Sequence, residues 1–102
     1  MLARKCRYAL QSDATTYAEI IIKPCCTIEI AVPKNGQWIR SKLALIHFTP
    51  NEQYVLLECH AKDNTGSKSI QLDLSYRDAI EFCQMIDEVK EEHDTLMTDL
   101  CY

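Results

Sequence analysis

Residues 69–86 read SIQLDLSYRDAIEFCQMI, and this stretch contains the change of pattern that decides the fold. Up to Leu74 apolar and polar residues alternate, which is the period of a half-buried strand. From Ser75 onward apolar residues recur at spacings of three and four, which is the period of an amphipathic helix. Ser75 places a hydroxyl at the helix start and Asp78 a carboxylate three residues later, a capping pattern. The stretch therefore predicts a strand that leads directly into a helix.

The helical pattern continues without Gly or Pro to Tyr102. Its apolar face consists of Ala79, Phe82, Ile86, Val89, His93, Leu96 and Leu100. A helix from Tyr76 to about Leu100 would be about 37 Å long, whereas a strand of about eight residues spans about 27 Å. The end of the helix is therefore expected to extend beyond the sheet and to need a partner, either the N-terminal segment or a second copy of the chain. The sequence predicts a homodimer with Leu96, Met97 and Leu100 in its interface.

In the N-terminal half, apolar and polar residues alternate with a period of two. One parity is apolar over residues 17–32 and the other is largely polar, which is typical of a sheet with one buried face. This parity continues across Pro24, which cannot donate to a central ladder. Two interpretations stay open at Lys23–Cys26: a turn between two strands, or one long strand with a kink.

Three polar segments divide the rest of the sheet region. They are Pro33–Gly36, Thr49–Gln53 and Asp63–Gly66, and the first contains Asn-Gly, a strong hairpin signal. Strands are expected at roughly 38–48, 55–62 and 69–75. The predicted architecture is a single α+β domain over 1–102: an antiparallel sheet of about five strands, followed by one long C-terminal helix packed across it.

Composition limits the class of protein. The chain has 102 residues, 47% of them hydrophobic, which is enough for one core and short for two domains. No apolar run approaches the ~20 residues of a membrane-spanning helix. The basic start at Arg4–Arg7 is not followed by the apolar stretch of a secretory signal, so we expect a cytoplasmic protein whose six cysteines are reduced and mostly buried.

No motif for catalysis or for a metal is apparent. The sequence contains no C-x-x-C and no H-x-x-x-H, and Cys25-Cys26 and Cys59-His60 are adjacent residues that would point to opposite faces of a strand. The histidines do not belong to a known catalytic signature, although His47 and His60 lie on neighbouring predicted strands. The two glycines fall in predicted turns, which excludes a glycine-rich phosphate loop. We therefore expect neither an enzyme nor a cofactor-binding protein; a redox or metal-responsive role for Cys25-Cys26 is a weaker alternative.

Charge divides the chain at Ser75. Residues 1–75 carry nine basic and seven acidic residues, whereas residues 76–102 carry two and eight. Such an acidic helix is typical of a solvated face, but it could also dock a partner. The leading hypothesis is a small inhibitor or adaptor, of the kind that phages and mobile elements encode, which binds a protein through its sheet edge or its helix. The helix residues assigned to this contact are Glu81, Glu88, Glu91 and Glu92.

The alternative hypothesis is single-stranded nucleic-acid binding. Basic and aromatic side chains are interleaved in the sheet region, and such a surface can hold phosphates while the bases stack. The residues assigned to it are Trp38, Arg40, Lys42, Lys62 and Lys68.

The order of elements from Leu43 to about His93 resembles the positive cofactor four family. The likeness is carried by Ser67-Lys68-Ser69-Ile70-Gln71-Leu72-Asp73-Leu74-Ser75 and by Ala79-Ile80-Glu81-Phe82-Cys83-Gln84-Met85-Ile86-Asp87-Glu88. The resemblance implies a dimer whose helices form the interface and whose sheets bind single-stranded DNA, with Lys68, and also Arg40, Lys42 and Lys62, as contacts. It departs from the family where Ser67-Lys68-Ser69 replaces the usual Lys-Gly pair and in the acidic overall charge.

Overall fold

The computed structural model describes residues 3–63 and 66–100. Within them the chain forms seven antiparallel strands in two sheets and one long helix. The first sheet has the order β1-β2-β3-β4, with strands Arg4–Ala9, Tyr17–Lys23, Thr27–Val32 and Gln37–Lys42. The second has the order β5-β6-β7, with strands Ile46–Pro50, Val55–Asp63 and Gly66–Leu74. Helix α1 spans Tyr76–Leu100. The α+β class is confirmed, whereas the predicted number of about five strands is too low.

The strand predicted over 38–48 is wrong, and it accounts for one of the two missing strands. It is two strands in different sheets, joined by a 3-10 turn at Leu43–Leu45. The turn is fixed by a backbone hydrogen bond of 3.0 Å from Leu43 N to Cys26 O. Because its sequence is Leu-Ala-Leu, without Gly, Pro or Asn, nothing local marked the change of sheet. The other missing strand is β1, whose alternation is short and largely charged.

The connection predicted over 49–53 starts too early, because Thr49 and Pro50 belong to β5, and β7 begins at Gly66 and not near Ser69. The turn at Pro33–Gly36 and the start of the helix agree with the prediction. Lys23–Cys26 is a turn, with Cys26 in the left-handed region at φ 63° and its N–H bonded to Lys23 O at 3.0 Å. Pro24 thus lies outside the ladder, and the buried parity of β2 and β3 is continuous because Ile22 pairs with Ile28. Pro33–Asn35 forms a 3-10 turn that Gly36 closes at φ 65°. Ser75 Oγ accepts the Asp78 N–H at 3.1 Å, so Ser75 caps α1 as predicted. Asn64 and Thr65 of the predicted third turn, and Cys101, lie outside the described residues.

One apolar core joins the two sheets and the helix. Both sheets contribute their inner faces, and α1 contributes Ala79, Phe82, Ile86 and Val89. Phe82 is fully buried, and its ring lies 6.0 Å from the rings of both Tyr8 on β1 and Phe48 on β5. Phe82 therefore connects the edges of both sheets to the helix.

The turn after β1 depends on one carboxylate. Asp13 accepts hydrogen bonds from Thr15 Oγ1 at 2.7 Å, Thr16 Oγ1 at 2.8 Å and Lys34 Nζ at 3.1 Å. These hydrogen bonds lower the pKa of Asp13 below its ordinary value. The bond from the Thr15 hydroxyl has the largest effect, followed by those from Thr16 and Lys34.

We expect this turn to make the protein sensitive to acid. A carboxylate whose pKa is lowered in the folded state stabilises it at neutral pH, and that stabilisation declines as the pH falls below about 4, where the unfolded chain takes up the proton first. Urea unfolding at pH 7, 4 and 2.5 should show a smaller loss of stability on acidification for Asp13→Asn than for the wild type. The control is Asp99→Asn at the exposed end of α1. Equal acid sensitivity of Asp13→Asn and wild type would contradict this role.

Candidate functional site

An apolar groove lies between α1 and β5, the edge strand of the second sheet. It has a volume of about 270 Å³. Its lining residues are Phe48, Pro50, Val55, Ala79, Ile80, Cys83, Gln84 and Asp87. Apart from Gln84 and Asp87, this lining is apolar.

The geometry of the groove follows from how α1 is attached. The Tyr76 hydroxyl donates to Asn51 O in the loop after β5, which holds the helix start beside the end of that strand. Further along, Phe82 packs against Phe48. Helix and strand therefore run in opposite directions, and the groove extends from Pro50 and Ile80 at one end towards Asp87 at the other.

The outer edge of β5 is open. Within the described chain, residues 47–50 make backbone–backbone hydrogen bonds to β6 and to no other segment. The edge of β7 differs, because Gln11 N and Ser12 N bond to the backbone and side chain of Asp73 at 2.9 and 2.8 Å. An unpaired edge is a template for an additional strand, and β5 has no Lys, Asp or Glu to oppose one. Pro50, which has no N–H, closes the edge at one end.

Two apolar groups of the groove remain accessible. Ile80 lies on the helix wall with 58% of its surface exposed. Cys83, one turn further, is half-buried, and burial raises the pKa of its thiol, with Asp87 contributing. Neither residue belongs to the predicted contact surface. The sequence contained one sign of this groove: Ile80 is a large apolar residue that lies outside the apolar face of the predicted helix.

The residues of the predicted acidic contact surface on α1 do not line this groove. Among them, Glu88 and Glu92 both accept hydrogen bonds from Arg4 of β1, the second at 2.6 Å. Glu81 and Glu91 are exposed. Half of this surface is therefore paired within the chain, which leaves less charge for a partner than the sequence indicated.

The predicted nucleic-acid residues come together. Arg40, Lys42, Lys62 and Lys68 line one groove of about 890 Å³, where the end of β4 meets the β6–β7 hairpin. Trp38 lies beside it with 52% of its surface exposed, and the Arg40 guanidinium stacks on its ring at 5.5 Å. Of the described residues that line this basic groove, none is acidic.

Not every cation of the basic groove is available. Arg40 donates from Nε and Nη2 to Glu29 Oε1, at 3.0 and 2.7 Å, and these bonds are the main cause that lowers the pKa of Glu29. By contrast, the ion pairs formed between described residues do not involve Lys42, Lys62 or Lys68.

The end of α1 is exposed as the helix length predicted. Leu96, Met97 and Leu100 continue the apolar face beyond the sheets, and 40%, 47% and 70% of their surfaces are accessible. His93, at the start of this section, is half-buried. The homodimer that would cover these residues stays a prediction.

The cysteines and histidines do not form a common site. Only Cys59 of the five described thiols is fully buried, so the prediction that most cysteines are buried is wrong; Cys25 is exposed. The hydrogen bond between the Thr27 hydroxyl and the Cys25 thiol is the main cause that lowers the pKa of Cys25. His47 and His60 do face each other, with ring centroids 5.9 Å apart on an exposed surface. Over residues 3–63 and 66–100 no three metal-ligating side chains cluster.

Comparison with known proteins adds no family assignment. The chain matches no family model, no curated protein and no solved structure. Within the described residues, α1 is too polar for a membrane-spanning helix.

Proposed function

We propose that this protein is a non-enzymatic interaction domain that binds a partner protein along the open edge of β5. The observation that carries the proposal is the position of this uncharged edge strand directly beside the apolar groove. Addition of a strand to a sheet edge supplies main-chain hydrogen bonds, while neighbouring pockets receive alternate side chains. Both parts are present here, because β5 offers unpaired backbone groups and the groove offers Phe48, Ile80 and Cys83.

Two further features support a role in binding. The described cysteines are free thiols, as in proteins of a reducing compartment such as the cytoplasm. The side chains that could act in catalysis are dispersed: His47 and His60 lie on the outer face of the second sheet, whereas the accessible thiol of Cys25 is in the β2–β3 turn. An inhibitor or adaptor role is consistent with this arrangement.

Selection from a library of random linear peptides, against the whole chain, tests the proposal. We expect the selected peptides to slow alkylation of Cys83, measured by peptide-resolved mass spectrometry, because the thiol lines the groove. Cys25, which is exposed in the β2–β3 turn, is the internal control, and its rate should not change. Failure to select any binding peptide, or selection of peptides that leave the Cys83 rate unchanged, would contradict the proposal.

The second candidate is binding of single-stranded nucleic acid in the basic groove. The specific observation that favours it is the convergence of four cations around one groove beside an exposed tryptophan. This is also the activity that the resemblance to the positive cofactor four family implies. If the three cations outside the ion pairs of the described residues, Lys42, Lys62 and Lys68, contact phosphates, the logarithm of the binding constant should fall with the logarithm of salt concentration with a slope of about −2.

A salt titration with a fluorescent oligonucleotide decides this candidate. We expect Lys42→Glu to weaken binding and to flatten the salt dependence, because it removes one phosphate contact and adds a repulsive charge. Trp38→Ala should cost about 1–3 kcal/mol if one base stacks on the indole. Lys90→Glu on α1 makes the same charge change outside the groove and is the control. No binding at low salt, or equal effects of Lys42→Glu and Lys90→Glu, would exclude the basic groove as a nucleic-acid site.

A further inference from the structure

The two ends of the groove beside β5 differ in chemical character, and this difference restricts which segment the groove can bind. Its wall is apolar at Ile80 and Cys83, and its one charged lining residue, Asp87, stands at the far end. An occupant with a basic group at that end would be complementary in charge, and the other acidic residues of α1 would add to the attraction.

The spacing of the occupant's side chains follows from the two geometries. From Ile80 to Asp87 the helix rises about 10 Å, at about 1.5 Å per residue. Along an extended segment the side chains of one face are about 6.7 Å apart. Two alternate side chains can therefore lie against Ile80 and Cys83. The third residue of that face lies about 13 Å along the segment, about 3 Å past the level of Asp87, which a long Lys or Arg side chain can span.

The direction of the occupant follows from the direction of β5. Because this strand runs from the Asp87 end of the groove towards Pro50, an antiparallel segment enters beside Pro50 and ends beside Asp87. Antiparallel pairing is slightly more stable per residue than parallel pairing, and both sheets of the protein use it throughout.

We infer that the groove binds an extended segment of a partner protein with the pattern apolar–x–apolar–x–Lys/Arg, running antiparallel to β5. This inference rests on the proposed function and specifies its ligand. The main chain of the segment pairs with β5, its two apolar residues occupy the groove, and its terminal cation faces Asp87.

A charge-exchange experiment tests the pattern. Two synthetic peptides carry Leu-Thr-Ile-Thr-Lys or Leu-Thr-Ile-Thr-Glu at their centres and are otherwise identical. Wild-type protein should bind the Lys peptide about two- to fivefold more tightly, since an exposed ion pair contributes this much. Asp87→Lys should reverse the preference, whereas Asp99→Lys, the same charge change near the end of α1, should keep the wild-type order.

The outcomes separate the inference from the proposed function. An unchanged preference in Asp87→Lys overturns the inference and leaves edge binding intact, provided that the peptides still slow Cys83 alkylation. Lack of binding by these peptides and by every library peptide overturns both. Sedimentation of the wild type and of Ile80→Glu tests whether a second copy of the chain fills the groove. If the wild type is a dimer and Ile80→Glu is a monomer, a second copy occupies the groove and the inferred partner segment is excluded.

Discussion

Phe82→Ala is expected to lower the free energy of unfolding by about 3–5 kcal/mol, as large-to-small changes of buried aromatic residues do. The side chain is fully buried and contacts both Tyr8 and Phe48, so its removal leaves a cavity where helix and sheet edges meet. Domains of this size are stable by about 5–15 kcal/mol, and the variant should therefore lose a large part of its stability. Urea unfolding followed by circular dichroism measures the change.

A matched pair of variants keeps this prediction testable. Ile80→Ala, on the same helix but mainly exposed, should change the stability by less than about 0.5 kcal/mol. If Phe82→Ala does not fold, Phe82→Leu retains more of the volume and should show a smaller but measurable loss. A loss below about 1 kcal/mol for Phe82→Ala would contradict the position of this ring in the core.

Ile80→Glu is expected to weaken binding of a groove-directed peptide at least tenfold, which corresponds to about 1.4 kcal/mol. The substitution buries a carboxylate against apolar side chains of the ligand. Because these side chains offer no hydrogen-bond donor, the lost hydration of the carboxylate is not compensated and binding weakens. The fold should be retained because the residue is exposed in the free protein. Isothermal titration with a selected peptide, beside a urea unfolding curve of each variant, separates binding from stability.

The control for Ile80→Glu is Leu45→Glu. Leu45 is another exposed apolar residue, but it lies in the turn between β4 and β5 and lines the basic groove. Its substitution should leave peptide affinity within about twofold of the wild type. Equal losses in the two variants would show that acidic charge in general, and not the groove, determines the affinity.

Local sequence pattern predicted those elements whose boundaries are encoded locally. The period changes from two to three and four at Ser75, which also provides the cap, so both the strand and the helix could be predicted there. The alternation in 17–32 predicted the buried face of β2 and β3. The turn at Leu43–Leu45 carries no such signal: its bond to Cys26 O, about 17 residues earlier, exists only after the sheets have formed.

The two candidate sites also differ in how far the local sequence encodes them. Trp38, Arg40 and Lys42 alternate on one strand, so the sequence could place them on one face. The groove beside β5 is formed by Phe48 and Ile80, which are distant in sequence and become neighbours only through Phe82 packing on Phe48. The residues of its edge strand were also divided between the single strand predicted over 38–48 and the connection predicted over 49–53. Long-range packing therefore decides this site, and local periodicity does not contain it.

Hydrogen exchange on β5 tests the central claim most directly. In the free protein, the β5 amides that do not bond to β6 should exchange quickly, as expected for an open edge. Saturation with a selected peptide should slow the exchange of these amides and leave β7 unchanged. Protection confined to Gln37–Lys42 and Lys62–Lys68, with β5 unaffected, would contradict edge binding and would place the ligand in the basic groove.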